Sequence, residues 1–431
     1  MFTSCLKAIN PERLLKSFLS IENDSLRIRG EEYYLPRYNN IYIIGAGKAS
    51  AVMAKAIEDI LGNRITKGCV VVKYGHSVPC RYIQIHEAAH PVPDKAGVDG
   101  TVKILEILEG TTENDLIIVL ISGGGSALLC KPAEGISLED KQITTNLLMK
   151  SGADITELNA IRKHLSLVKG GLLARAAYPS ELLVFILSDV INDPLDSIAS
   201  GPTVADTTTF YNCRQIISKY NLEEKIPKSV INRFNQGESG IFPENPQIND
   251  DIFNNVSNFI IGNNSYALHA AEKKANELNY NTHVIAEPTE GETKDSAHLH
   301  TSIAISILEN GKPIRIPACV LSGGETTVTI KGNGLGGRNQ EFVLASVEDI
   351  SGLCNIVVLS GGTDGSDGPT DAAGAIADNN TMFRANELEL NPADYLENND
   401  SYHFFHELHD LIITGPTKTN VMDIHLLLID K

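Results

Sequence analysis

The sequence predicts an α/β protein of two lobes, the first built on a doubly wound, mostly parallel sheet and the second on a further α/β sheet. Its 431 residues exceed one ordinary core, at roughly 150 residues per domain. Continuous β-branched runs alternate with amphipathic helical patterns, as expected for parallel strands buried on both faces. Three aliphatic runs end abruptly in Ser-Gly-Gly: LIIVLISGGGS (Leu116 to Ser126), CVLSGGE (Cys319 to Glu325) and IVVLSGGTDGSDG (Ile356 to Gly368). Each reads as a buried strand feeding a loop whose bare backbone N–H groups can close on an anion.

From about Asn40 the elements follow in order. IYIIGAG is a strand, Ala49 to Leu61 a helix, GCVVVK a strand and IQIHEA a short one, Val98 to Leu108 a helix, and LIIVLIS a strand. A mostly helical insert from Leu138 to Ala177 precedes LLVFILSD, a strand ending in polar residues. The stretch from Lys225 to Asn255 is rich in Pro, Gly, Asn and Asp and carries no period, so it marks the domain boundary. The first domain is then 1–235, a linker region spans 236–255, and the second domain is 256–431. Beyond the linker, FIIGNNS opens a helix and THVIAE is a strand, while CVLSGG, NIVVLSGG and LIITGP give three more strand-to-loop transitions. Ligands of open α/β sheets bind outside the carboxyl ends of the strands, so the active site is expected between the lobes.

Composition excludes several classes. A net charge of -18 argues against a nucleic-acid partner, which needs clustered Lys and Arg against phosphates. No apolar run approaches the roughly 20 residues that span a bilayer, and the opening MFTSCLKAINPERLLKSFLS lacks a signal peptide's apolar region, so a cytoplasmic protein with no membrane partner is expected. Cys5, Cys69, Cys80, Cys130, Cys213, Cys319 and Cys354 form no C-x-x-C pair and read as reduced, mostly buried thiols. A monomer or homodimer is expected.

Several segments carry residues suited to chemistry. GAGKAS (Gly45 to Ser50) joins a strand to a helix but lacks the third glycine of a dinucleotide fingerprint, and the next strand ends at Lys73 where an acid would bind ribose. Lys48, at the helix start, favours a bound anion. LSDVINDPLDSIASGPT places Asp189, Asn192, Asp193 and Asp196 directly after a strand, where carboxylates suit Mg²⁺ or a hydroxyl proton. Four glycines lead to Arg338 and Asn339 at a helix start, and the guanidinium can fork onto a carboxylate or phosphate. The third Ser-Gly-Gly segment adds Asp364, Asp367 and Asp371, without the spacing of a calcium loop. Of Arg162, Lys163, His164 and Lys169, about half are expected to coat a helix, and His403, His406 and His409 read as an exposed helical face. P-loop, zincin and G-x-S-x-G motifs are absent.

Taken together, GAGKAS, HPVPD, ISGGGSALL, the LNAIRKHLS segment with VKGG, LSDVINDPLDSIASGPT, SGGETTVTIKGNGLGGRNQEF, SGGTDGSDGPTDAAGA and TGPTKTN resemble the class II glycerate 2-kinases. The resemblance runs from Ile41 to Asp423 and implies an N-terminal Rossmann-like lobe with a C-terminal lobe of the MOFRL type. It implies ATP- and Mg²⁺-dependent phosphorylation of D-glycerate at its 2-hydroxyl, giving 2-phosphoglycerate. By the same resemblance Lys48 and Arg338 match cationic active-site positions and Asp189 an acidic one, while Lys418 stands where the family usually has glycine.

The expected chemistry is direct phosphoryl transfer, in which positioning and charge stabilisation do most of the catalysis. Lys48 and Arg338 hold the carboxylate or the moving phosphoryl group, Asp189 orients or deprotonates the hydroxyl, and Asp193 or Asp364 helps carry Mg²⁺. Ser122, Gly123, Gly124 and Ser126 are assigned to D-glycerate, and Gly323, Gly324, Glu325, Asn339 and Asp364 to ATP, although the sequence alone does not say which loop serves which ligand. The alternatives are an NAD(P)H-dependent hydroxypyruvate or tartronate semialdehyde reductase and a non-catalytic sugar-phosphate-binding protein.

Overall fold

The computed structural model describes residues 1–353 and 355–430. The chain divides into two compact units, residues 11–261 and residues 1–10 with 262–431.

In the first unit, strands β1 (Asn40–Ala46), β2 (Lys67–Lys73), β3 (Ile83–Ala88), β4 (Asp115–Ile121), β5 (Glu181–Leu187) and β6 (Val256–Gly262) form one sheet in the order 3-2-1-4-5-6. The first five pair in parallel. Every residue of β4 is buried, which explains its unbroken aliphatic run DLIIVLI. Ile44, Val71, Val119 and Val184 point into one side of the core, where Ile104 and Ile107 of helix α2 (Lys95–Leu108) join them. Helix α1 (Ser50–Leu61) begins in the turn after β1. The strand order reverses between β1 and β4, and a crevice opens there at the carboxyl ends.

The helical insert is helix α3 (Leu138–Lys150), helix α4 (Ile155–His164) and a shorter helix at Leu172–Ala177. Capping boxes from Ser137 and Asp154 start the first two. The expected linker, 236–255, groups with this unit, and the aperiodic stretch that begins at Lys225 holds a helix, Lys228–Glu238, that buries Val230 and Phe234 against Leu148, Ile161 and Phe210. Its apolar residues are few and are diluted by Asn, Gln and Gly, which hides the period. The division of the chain falls after Ile261, and residues 1–10 join the second unit, where Thr419 Oγ1 donates to the Ile9 carbonyl at 2.9 Å.

The second unit holds strands β7 (Asn281–Val284), β8 (Ala318–Gly324), β9 (Ile356–Gly362), β10 (Gly374–Asp378), β11 (Leu411–Ile412) and β12 (Asp423–Ile429), in the order 7-8-12-9-10-11. This sheet is mixed. Only β7 and β8 pair in parallel, and β12 lies antiparallel between β8 and β9. Helix α5 (Thr293–Asn310) and helix α6 (Arg338–Ile350) pack on it through Ala304, Ile307, Phe342 and Val343.

The six described cysteines are free, five of them buried, and Cys354 lies outside the described residues. Among the described residues no helix is long and apolar enough to cross a membrane.

Candidate functional site

The crevice of the first unit is built where two glycine-rich turns interlock. The Lys48 N–H donates to the Gly123 carbonyl at 2.8 Å, and the Ala49 N–H donates to Ser122 Oγ at 3.0 Å. Gly47 has a φ of 145°, and a Cβ there would collide with the Oγ and carbonyl of Ser122. Glycine is therefore required for the close approach of the two turns. Gly47→Ala should cost about 2 kcal/mol of unfolding free energy through overpacking. Urea unfolding checks this, and a variant of wild-type stability would mean that the turns are not locked.

Ser122 and Gly123 are buried behind this lock, whereas Gly124 and Ser126 are half-buried and line a cavity of about 360 Å³. Its other walls include His90 after β3, Lys141 and Gln142 of α3, Arg162 of α4, and Lys169. Lys169 is fully buried and its Nζ donates to the Ser126 carbonyl at 2.8 Å and the Ala199 carbonyl at 3.3 Å. Burial pushes its pKa well down, with Lys141 adding to the effect. Burial, followed by the charge of Lys48, lowers the His90 pKa to about 4, so this imidazole is neutral at physiological pH. Lys48 is half-buried beside it, and His76 Nδ1 lies 3.0 Å from the Lys48 carbonyl.

The expectation that half of Arg162, Lys163, His164 and Lys169 coat a helix is corrected here. Lys163, His164 and Lys169 are each at most 2% exposed, and Arg162 is half-buried. Lys163 lies 3.4 Å from Asp206 and 3.8 Å from Asp196, so the acidic loop after β5 is held partly by a buried lysine. Asp189 and Asp193 are half-buried in that loop, and Asn192 and Asp193 have positive φ. Among the described residues no three His, Cys, Asp or Glu side chains converge as a metal cage. His403, His406 and His409 are exposed, as the sequence suggested.

In the second unit the two remaining Ser-Gly-Gly segments are not loops. They are the last residues of β8 and β9, completely buried or nearly so, and they flank β12 in matching register. Ser322 and Ser360 both pair with His425, Gly323 and Gly361 with Ile424, and Gly324 and Gly362 with Asp423. A Cβ on Gly323 would strike the Asn264 side chain, whose amide donates to the carbonyls of Val421 and Asp423 at 2.9 and 3.0 Å. These glycines make room for packing. The serines serve a buried network instead: His300 Nε2 lies 2.6 Å from Ser322 Oγ, and Ser360 Oγ lies 2.8 Å from His425 Nδ1. Burial lowers the pKa of both imidazoles and favours their neutral forms.

Arg338 opens α6, and its guanidinium forks onto a carboxylate of the protein itself. Its Nε and Nη2 donate to Asp423 at 2.5 and 3.2 Å, and its Nη1 donates to Glu325 at 2.6 Å. Burial opposes the charge, but Asp423 and then Glu325 raise the guanidinium pKa further. Asn339 is buried and faces inward; its Nδ2 donates to Asp367 at 3.2 Å and its Oδ1 accepts from Ser360 at 2.6 Å. Asp367 accepts from the N–H groups of Asn339 and Gln340, capping α6. Asp364 is half-buried and accepts from the Ser366 N–H at 3.1 Å.

Asp423, His90 and Lys141 were missed in the sequence. His90 lies in the HPVPD motif, which was a usable signal; Lys141 looks like any helix-surface lysine, and Asp423 merely starts the final strand.

A parallel sheet of order 3-2-1-4-5-6 joined to a mixed second sheet, each with cations at glycine-rich turns or strand ends, defines a two-unit α/β architecture that comparison places in a family. Residues 1–235 match the family described as a domain of unknown function, DUF4147, and residues 318–423 match the MOFRL family. A glycerate 2-kinase of Pyrococcus horikoshii is 41% identical over 97% of this chain and 93% of its own. A crystal structure of a Thermotoga maritima glycerate kinase superposes with a TM-score of 0.88 at 38% identity, covering 99% of this chain and 97% of that one. A relative from Agrobacterium vitis, 40% identical over 90% of this chain and 86% of its own, carries a provisional hydroxypyruvate reductase name. The chain belongs to the class II glycerate kinase family.

Proposed function

We propose that this chain is a cytoplasmic D-glycerate 2-kinase that transfers the γ-phosphoryl group of ATP to the 2-hydroxyl of D-glycerate. The observation that carries this reading is similarity along nearly the whole chain to two relatives named for that activity, at 41% and 39% identity. The bond from the 2-oxygen to γ-phosphorus forms as the bond from γ-phosphorus to the bridging oxygen breaks. ADP leaves, and the hydroxyl proton passes to Asp189.

Lys48, at the reversal of strand order, supplies a cation to the glycerate carboxylate or the transferred group. Arg338 supplies a second cation to a bound anion, with its guanidinium plane fixed by Asp423. Gly124 and Ser126 approach D-glycerate directly, with Ser122 and Gly123 holding their turn from behind. Glu325 and Asp364 face the nucleotide, while Gly323 and Gly324 support them from inside the sheet and Asn339 from the first turn of α6. The carboxylates suit Mg²⁺ that arrives on the nucleotide and needs only one or two protein ligands, with Asp193 or Asp364 supplying them. When bound, that ion neutralises phosphate charge.

The reductase reading is weakened by the turn after β1, where Gly47 is packed against Ser122, and by Lys73 at the end of β2. The test is incubation with D-glycerate, ATP and Mg²⁺, with the product identified by NMR and NADH oxidation by hydroxypyruvate followed in parallel. The expected product is 2-phosphoglycerate. Appearance of 3-phosphoglycerate would overturn the regiochemistry, and NADH loss without ADP would overturn the kinase.

A further inference from the structure

The 360 Å³ cavity of the first unit has an unusual charge balance. Lys141, Arg162 and Lys169 line it, with His90 among the other lining residues, and among the described residues no carboxylate does. Lys141 is 5% exposed, and its Nζ has no hydrogen-bond partner among the described residues. It sits in the first turns of α3, where the helix dipole disfavours a cation. The titratable neighbours acting on the two ammonium groups are Arg162, the Cys130 thiol and, for Lys169, Lys141 itself. A buried ammonium without a partner is costly, and a second one nearby adds repulsion. Folding alone does not explain why this chain gathers three cations here and pairs none with a carboxylate.

We propose that this cavity is a phosphoryl subsite, in which Lys141, Arg162 and Lys169 grip the phosphate of a small phosphorylated molecule beside Gly124 and Ser126. The ligand is the phosphate chain of the nucleotide or the phosphate of the phosphorylated acid; the proposal rests on the kinase reading for that choice of sources. Charge selects phosphate over a lone carboxylate. A carboxylate brings one negative charge to three cations, whereas a phosphoryl group brings close to two and offers three oxygens to an Arg fork and two ammonium groups. An anion in the cavity favours the charged forms of both lysines, which burial disfavours, so any proton exchange by these groups on binding runs in the direction of uptake. The apolar wall of Pro91, Val92, Pro93 and Met149 leaves room for the rest of the ligand.

The experiment is calorimetric titration of the full chain, without Mg²⁺, with pyrophosphate, ADP, 2-phosphoglycerate and D-glycerate, in two buffers of different ionisation enthalpy. Pyrophosphate is expected to bind with proton uptake, and Lys141→Met should weaken it by at least about tenfold and reduce the uptake, Lys169 keeping its own share. Arg162→Gln, at a half-buried position, should weaken binding similarly and guards against misfolding of the Lys141 variant. Displacement of pyrophosphate by ADP alone assigns the site to the nucleotide, and displacement by 2-phosphoglycerate alone assigns it to the phosphorylated acid. The proposal is overturned if no phosphate probe binds, if both variants bind pyrophosphate as the wild type does, or if only D-glycerate responds to the substitutions. Turnover measured on the same samples separates the two readings: turnover with unaltered pyrophosphate binding in both variants sinks the subsite and leaves the kinase, while tight phosphate binding without turnover does the reverse.

Discussion

Replacing Lys48 with alanine is expected to lower kcat by about 10² to 10³, the cost of removing one preorganised charge from developing negative charge, roughly 3 to 4 kcal/mol. The turn that carries Lys48 is fixed independently of its side chain, because the Lys48 N–H to Gly123 bond and the Ala49 N–H to Ser122 bond are made by backbone donors. The substitution should therefore leave the unfolding midpoint nearly unchanged. Steady-state kinetics with D-glycerate and ATP give the answer. A kcat within threefold of wild type would remove Lys48 from the catalytic group.

Asp423→Asn should damage both stability and activity. Its carboxylate is 1% exposed and holds two nitrogens of Arg338, whose side chain is 34% exposed. Removing one partner of a buried pair typically costs 3 to 5 kcal/mol; partial exposure of Arg338 and its second partner Glu325 put the expectation near the lower end, about 3 kcal/mol. Glu325→Gln, at a carboxylate that is 48% exposed, should cost no more than about 1 kcal/mol. Denaturant unfolding separates the two variants. Because Asp423 also fixes the guanidinium plane, kcat should fall in Asp423→Asn even where the protein is fully folded. Equal stability losses in both variants would show that burial does not govern this cluster.

Much of the first unit was legible because its signals are local. A strand buried on both faces must be aliphatic throughout, so β1, β2, β4 and β5 announce themselves, and GAGKAS marks the turn that follows β1. Lys48 and Arg338 stood out because each follows a glycine-rich turn at the start of a helix. The helix at 228–238 stayed hidden because only a few of its side chains are buried, and its partners in the core come from distant α3 and α4. The glycines after Ser322 and Ser360 were misread because a glycine that admits a ligand and one that admits a neighbouring side chain look alike in sequence. What differs is the atom opposite, here the Asn264 amide or Phe2.

The sequence by itself determined the α/β class, the parallel core of the first sheet and the positions of its best cationic candidates, because periodicity and turn chemistry act over a few residues. Only the tertiary structure decided that β12 enters between β8 and β9, so that His425 meets two serines and Asp423 meets Arg338. It alone decided that Lys141, Arg162 and Lys169, drawn from α3, α4 and the segment beyond, line one cavity without a carboxylate. Burial and charge pairing depend on which distant segments fold against a residue, and that information is not local to the chain.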